Sequence, residues 1–190
     1  MANKDAAFGL RPIGKVGQNR DNQGLSEYSI AASASAIYQN DPVQALATGT
    51  IGVANTSTDV LLGSLNGVFY TDSSTKKPTW ANHLDASNAA TDIVGFVSDD
   101  PYERFEVQSN GTNAITQASV FFNYNTVYAA GDSANYISKV ELSETTGVAT
   151  TAQLRLIGFS NDPSNNDISS SNVNMVVTIN EHFLKSTAGI

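Results

Sequence analysis

Asp92-Ile93-Val94-Gly95-Phe96-Val97-Ser98-Asp99-Asp100-Pro101-Tyr102-Glu103-Arg104-Phe105-Glu106-Val107-Gln108 is the stretch that decides the fold. It reads as a buried apolar strand, an Asp-Pro turn, and a second strand in which Phe105 and Val107 sit at alternate positions. A second stretch repeats the order. Leu156-Ile157-Gly158-Phe159 leads into Ser160-Asn161-Asp162-Pro163, and the chain returns through the alternating run Val173 to Ile179. Both read as hairpin-like units at the centre of an all-β, β-rich body with little helix.

Working outward, Tyr28 and Ile30 alternate with serine, and Ile37 to Leu46 reads as a strand bent at Asp41-Pro42. Three of the five prolines follow aspartate, at Pro42, Pro101 and Pro163, as though one turn device were used three times. Thr48 to Val53 reads as a return strand after a glycine turn, and Leu61 to Tyr70 as a pair pinched at Asn66-Gly67. Thr71 to Asp92 has no strong period. It contains the basic turn Lys76-Lys77-Pro78, a loop with Trp80, His83 and Leu84, and a short helical turn at Ala86 to Ala90. Trp80, the sole tryptophan, is expected to cap one end of the core. Ile115 to Ala130 is rich in aromatic and β-branched residues, which favours a strand. Tyr136 to Leu142 and Val148 to Phe159 complete the strand set.

At 190 residues the chain fits a single domain with an arm. The absence of cysteine excludes disulfides, thiolate metal sites and cysteine nucleophiles. No apolar run approaches the roughly 20 residues that span a bilayer, and the N-terminus starts no secretory segment, so a soluble protein made in a cytoplasm is expected. Residues 1–20 balance at +3 and the rest at −11, which together make the net −8. So acidic a body repels nucleic acid, and no membrane partner is expected.

Residues 1–24 combine Gly9, Gly14, Gly17, Gly24 and Pro12 with few periodic apolar positions, and read as an extended N-terminal arm. Fully stretched it reaches roughly 80 Å, enough to lie on a neighbouring subunit. Phe8, Leu10 and Ile13 would anchor it and Arg11 would clamp it. Residues 25–184 form the body, a β-sandwich or a small β-barrel or β-tulip-like unit, and residues 185–190 a flexible tail. No phosphate loop, dinucleotide fingerprint, zinc spacing or nucleophile elbow occurs. Asp99-Asp100 and Asp162 with Asp167 read as turn caps rather than as ion or hydrolase carboxylates. His83 and His182 lie far apart in the sequence. A non-enzymatic protein with no cofactor and no metal is expected. Charged residues make up only 15%, a composition suited to tight contacts with repeating neighbours, as in adhesins and virion proteins.

Several stretches, in order, resemble one family. They are Ala2 to Pro12, Ile37 to Val43, Tyr70-Thr71-Asp72 with Lys76 to Trp80, Asp99 to Gln108, Ala152 to Gly158, and Ile179 to His182. The chain resembles the capsid decoration, or cement, proteins of tailed phages, especially marine and cyanobacterial podovirus-like ones. The resemblance implies a β-rich, non-enzymatic virion protein, commonly a homotrimer, that sits outside an expanded icosahedral capsid and ties neighbouring major capsid protein subunits together. It implies contact with the shell or a neighbouring subunit at Phe8, Leu10, Arg11 and Pro12, with Ile13 and Lys15 beside them. On that reading, deleting residues 1–20 leaves a folded protein that no longer binds capsids. The competing reading is a receptor- or carbohydrate-binding virion module, associated with a tail or fibre, in which Trp80 and the tyrosines stack on sugars. A third is a cell-wall hydrolase using Asp99, Asp100 and His83.

Overall fold

Residues 2–17, 24–111, 115–145, 147–148 and 150–186 are described by the structure, a computed structural model. Thirteen strands occur among them: β1 (Arg11–Lys15), β2 (Ser26–Ser29), β3 (Pro42–Ala45), β4 (Ile51–Val53), β5 (Gly63–Thr71), β6 (Pro78–Ala81), β7 (Val94–Ser98), β8 (Glu103–Gln108), β9 (Asn123–Tyr124), β10 (Thr126–Val127), β11 (Glu141–Leu142), β12 (Leu154–Phe159) and β13 (Asn174–Ile179). The helical content is two 3-10 turns, Gln117–Ser119 and Phe183–Lys185, so the protein is all-β.

The strands form two large antiparallel sheets and one small one. A five-stranded sheet runs β1-β8-β13-β12-β9, a six-stranded sheet runs β2-β7-β5-β3-β4 with β6 also on β5, and β10 pairs β11. Alternation drives this. In β8, Phe105 and Val107 are fully buried, and in β13 Met175 and Val177 are too. Two hydrophobic cores result. Leu10, Leu61, Phe105, Val107, Leu154, Leu156, Met175 and Val177 belong to the one under the five-stranded sheet. Ile30, Ile37, Val43, Ile51, Leu62, Leu65, Val68 and Val97 belong to the one under the six-stranded sheet.

The two stretches that read alike in sequence behave differently. Leu154–Phe159 and Asn174–Ile179 do pair, with a bulge between Leu156 and Gly158. β7 and β8 do not: β7 bonds β2 and β5, while β8 bonds β1 and β13. Asp99-Asp100-Pro101 is therefore a corner between sheets and not a hairpin turn. Asp99 accepts hydrogen bonds from Ser26 Oγ at 2.9 Å and the Tyr28 hydroxyl at 2.5 Å, both on β2, which holds the end of β7 to its own sheet. Asp100 then accepts the Tyr102 N–H at 2.7 Å and, through its carbonyl, the Glu103 N–H at 2.9 Å, turning the chain into the other sheet. Asp162 caps Ser164 in the same way at 3.0 Å. Asp41 does not share the device: its carboxylate reaches back to the Tyr38 N–H at 2.8 Å, and Pro42 opens β3.

Other expectations change as well. Gly63 to Thr71 is one strand, and Asn66-Gly67 marks a bulge against β7 instead of a hairpin turn. Gly67 is required for a packing reason, since a Cβ there would lie 2.6 Å from Trp80 Cζ2. Trp80 lies in a strand, β6, and is 53% exposed, so it caps no core. Ala86 to Ala90 makes turns without a helix, and the aromatic stretch from Ile115 holds a 3-10 turn and two two-residue strands in place of one long strand.

Candidate functional site

The N-terminal segment was the sequence-based candidate, and its residues 2–17 lie on their own chain. β1 pairs with β8, with Arg11 opposite Glu106 and Lys15 opposite Glu103, and the register shifts between Pro12 and Gly14. Ahead of the strand, polar side chains of the body hold the backbone. Gln108 Oε1 accepts the Ala6 N–H at 2.8 Å while its Nε2 donates to the Lys4 carbonyl at 2.9 Å. Asn165 Nδ2 donates to the same carbonyl at 2.8 Å, and Asn3 Nδ2 donates to the Asp167 carbonyl at 2.9 Å. Asn40 accepts the Leu10 N–H at 2.9 Å and donates from its side chain to the Phe8 carbonyl at 3.1 Å. Gly9 passes at φ 75, where a Cβ would meet the Asn40 carbonyl at 2.4 Å and Ser138 Cβ at 2.5 Å. Only glycine fits there.

The six candidate residues divide by what they touch. Leu10 is fully buried in the core of the five-stranded sheet, so it anchors the segment to its own body and faces no partner. Arg11 pairs with Glu106, whose side chain is 7% exposed, and its guanidinium lies 4.5 Å from the centre of the Phe8 ring. Lys15 forms a 2.9 Å ion pair with Asp100. Phe8, Arg11 and Pro12 line a surface cleft of about 530 Å³ together with Leu25, Asn66 and Glu103. Burial pushes the Glu103 carboxyl up, partly offset by the Gly14 N–H and Lys15. Ile13, the bulge residue, is 47% exposed. Residues 1 and 18–23 of the expected arm and 187–190 of the expected tail lie outside the described residues. The body residues that hold the segment, Glu106, Gln108 and Asn165, carried no local signal in the sequence, because their role depends on register with residues about 95 to 160 positions away.

Two groups of exposed apolar side chains occupy opposite edges of the five-stranded sheet. At the β1 edge Ile13, Val16, Tyr102 and Leu184 are about half exposed; the Val16 N–H donates to the Tyr102 carbonyl, and Lys185 Nζ lies 5.1 Å from the centre of the Tyr102 ring. At the β9 edge Phe121 is 73% exposed, with Phe122 and Val148 beside it in the fold: Asn123 forms a bridge with Val148, and Phe122 accepts the Leu156 N–H. Phe121 has φ 77, a strained conformation for an aromatic residue. Five strands at about 4.8 Å spacing set the two edges roughly 20 Å apart. Sequence flagged this aromatic stretch without showing which rings face solvent.

The acidic and histidine candidates are engaged elsewhere. Asp99 is held by Ser26 and Tyr28, whose phenol burial and Asp99 together push up to about 12. His83 stacks on Tyr136 with ring centres 3.6 Å apart and lies 3.4 Å from Asp85. It is His182 that feels Asp99 and Asp100, and it is buried, with its pKa pushed down to about 4 by desolvation and Lys185. Among the described residues no group of three or more His, Asp or Glu side chains is arranged to hold a metal ion.

No protein-family model, curated protein or solved structure matches the chain.

Proposed function

We propose that the protein is a structural virion subunit that decorates the outside of an icosahedral phage capsid and cements neighbouring major capsid protein subunits. The observation that supports this reading best is the pair of apolar groups on opposite edges of one sheet. A monomeric soluble protein seldom leaves two such groups uncovered, and a subunit that contacts a different neighbour at each edge has a use for both. Binding to the mature lattice alone stabilises that state by mass action, and many weak contacts multiply the effect. In a homotrimer one edge would serve the trimer's own copies and the other the shell. No chemical step is required, and synthesis in the host cytoplasm followed by assembly onto the shell is sufficient.

The β1 edge keeps a role in this proposal, but through Ile13, Arg11 and Pro12 rather than Leu10. The test is cryo-electron microscopy of purified particles carrying the chain. Density on the outer surface, bridging capsid subunits and with both edges covered by a neighbour, is expected. Density confined to a tail or fibre overturns the proposal.

A further inference from the structure

The outward face of the six-stranded sheet is not used by either edge. Its strand register aligns Phe69 on β5 with Trp80 on β6, and Phe96 on β7 with Gly67 on β5. Because residues paired in register point to one face, Phe69, Trp80 and Phe96 project together. Trp80 is 53% and Phe69 42% exposed.

We infer that this face is a binding site for the rings of neutral sugars, with Trp80 as its platform. Two features carry the inference. The first is that the indole is held in place before any ligand arrives. It lies over Gly67, where even a methyl group would collide with it at 2.6 Å, and it packs on Phe96 with ring centres 5.0 Å apart and a tilt of 57°. One ring face is thus spent on the sheet, which leaves the other for a ligand at little cost in side-chain entropy. The second is charge. Of the outward side chains on β2, β5, β6 and β7, only Glu27 is ionic; the others are Ser29, Asn66, Thr71 and apolar groups. The strands of this face offer little to a charged partner, their flanking cations Lys76 and Lys77 lying in the turn before β6, whereas the C–H face of a pyranose stacks on an aromatic ring.

A sugar ring stacked on Trp80 would have the next ring directed towards Phe69, its register partner. This site lies apart from the two edges of the five-stranded sheet, so either proposal can fail without the other.

Trp80 is the sole tryptophan, so emission excited selectively at the long-wavelength edge of indole absorption, where the seven tyrosines do not absorb, reports this site alone. The test titrates it with cellotetraose, maltotetraose and the tetramer of N-acetylglucosamine. Saturable quenching or a blue shift with at least one of them is expected. Isothermal titration calorimetry should then show binding lost in Trp80→Ala, weakened about tenfold in Phe69→Ala, and partly retained in Trp80→Phe, with circular dichroism unchanged. If Trp80→Ala fails to fold, the other two variants carry the comparison. Three results overturn the inference: no saturable response to any of the sugars, undiminished binding in the variants, or an emission shift that follows protein concentration without sugar, which would mark the face as a protein contact.

Discussion

Leu61 and Leu62 are consecutive in the chain and lie in different cores. Their backbones divide in the same way. The Leu61 N–H donates to the Glu181 carbonyl and its own carbonyl accepts from Phe183, while the Leu62 N–H donates to the Val43 carbonyl. The dipeptide stitches the C-terminal end of the chain to the six-stranded sheet, so loosening either core strains the other.

Leu61→Ala and Leu62→Ala are each expected to cost about 2–5 kcal/mol. Both should lower one shared transition. Urea unfolding followed by Trp80 fluorescence, which reports the six-stranded sheet, should coincide with far-ultraviolet circular dichroism in all three proteins. Separate transitions would show that the cores unfold as independent units.

Gly9→Ala is expected to detach the N-terminal segment. The added carbon would meet the Asn40 carbonyl at 2.4 Å on a backbone with φ 75, so relaxation has to break the Leu10 to Asn40 hydrogen bond. Leu10→Ala leaves the backbone free of clash but empties a core position, at about 2–5 kcal/mol. Hydrogen exchange at the Leu10 amide distinguishes the two, with protection lost in the first and reduced in the second. Deletion of residues 1–20 removes an edge strand and a core leucine together, so it should destabilise the body and not leave it untouched.

Two buried groups give opposite pH dependence. Asp41 is fully buried, and desolvation raises its pKa from 3.8 to about 6 despite the nearby Ser138 hydroxyl and the Tyr38 N–H. A raised carboxyl favours the fold while protonated, so this contribution is complete below pH 3.8 and lost as the pH rises through about 6. Its ionisation costs about 3 kcal/mol at pH 7. Asp41→Asn retains an acceptor for Tyr38 and should stabilise the protein at neutral pH by about 1–3 kcal/mol. His182 works the other way. Its pKa falls from 6.5 to about 4, so stability present above pH 6.5 is lost as the pH drops towards 4. Urea midpoints of Asp41→Asn and His182→Gln between pH 4 and 7 should tilt in opposite senses relative to the parent; parallel curves would refute both assignments.

Phe121→Ser should leave stability within about 1 kcal/mol, because that ring is 73% exposed, while Phe122→Ser, at 43%, should cost about 1–2 kcal/mol. Relief of the φ 77 strain is no part of this expectation, since serine tolerates that conformation little better than phenylalanine. On the proposed function, the double variant should lose most of its binding to empty shells in a co-sedimentation assay. Unchanged binding would remove the β9 edge from the interface.

Strand identity was largely legible in the sequence and strand pairing was not. Alternation in Phe105, Val107, Met175 and Val177 reveals which face is buried. It does not reveal the neighbour. Asp99-Asp100-Pro101 and Asp162-Pro163 carry the same turn chemistry, yet only the second closes a pair, because the contacts that fix Asp99 come from Ser26 and Tyr28 more than 70 residues earlier. Trp80 was misplaced for a similar reason: a four-residue strand offers too little period to read, and its outward orientation follows from Gly67 across the sheet. In the N-terminal segment the anchors were correctly singled out as apolar, but Leu10 among glycines gave no sign that its pocket lay in its own body.

The placement of β1 also sets a schedule. Strands β2 to β7 build the six-stranded sheet from one continuous stretch, residues 26 to 98, whereas β1 waits for β8 and the five-stranded sheet needs β13 as well. At about 5–20 residues per second, the ribosome extends the chain for roughly 5–20 s between finishing β1 and finishing β8. Among the described strands β1 thus waits longest for a partner, and newborn chains carry it unclaimed for that interval.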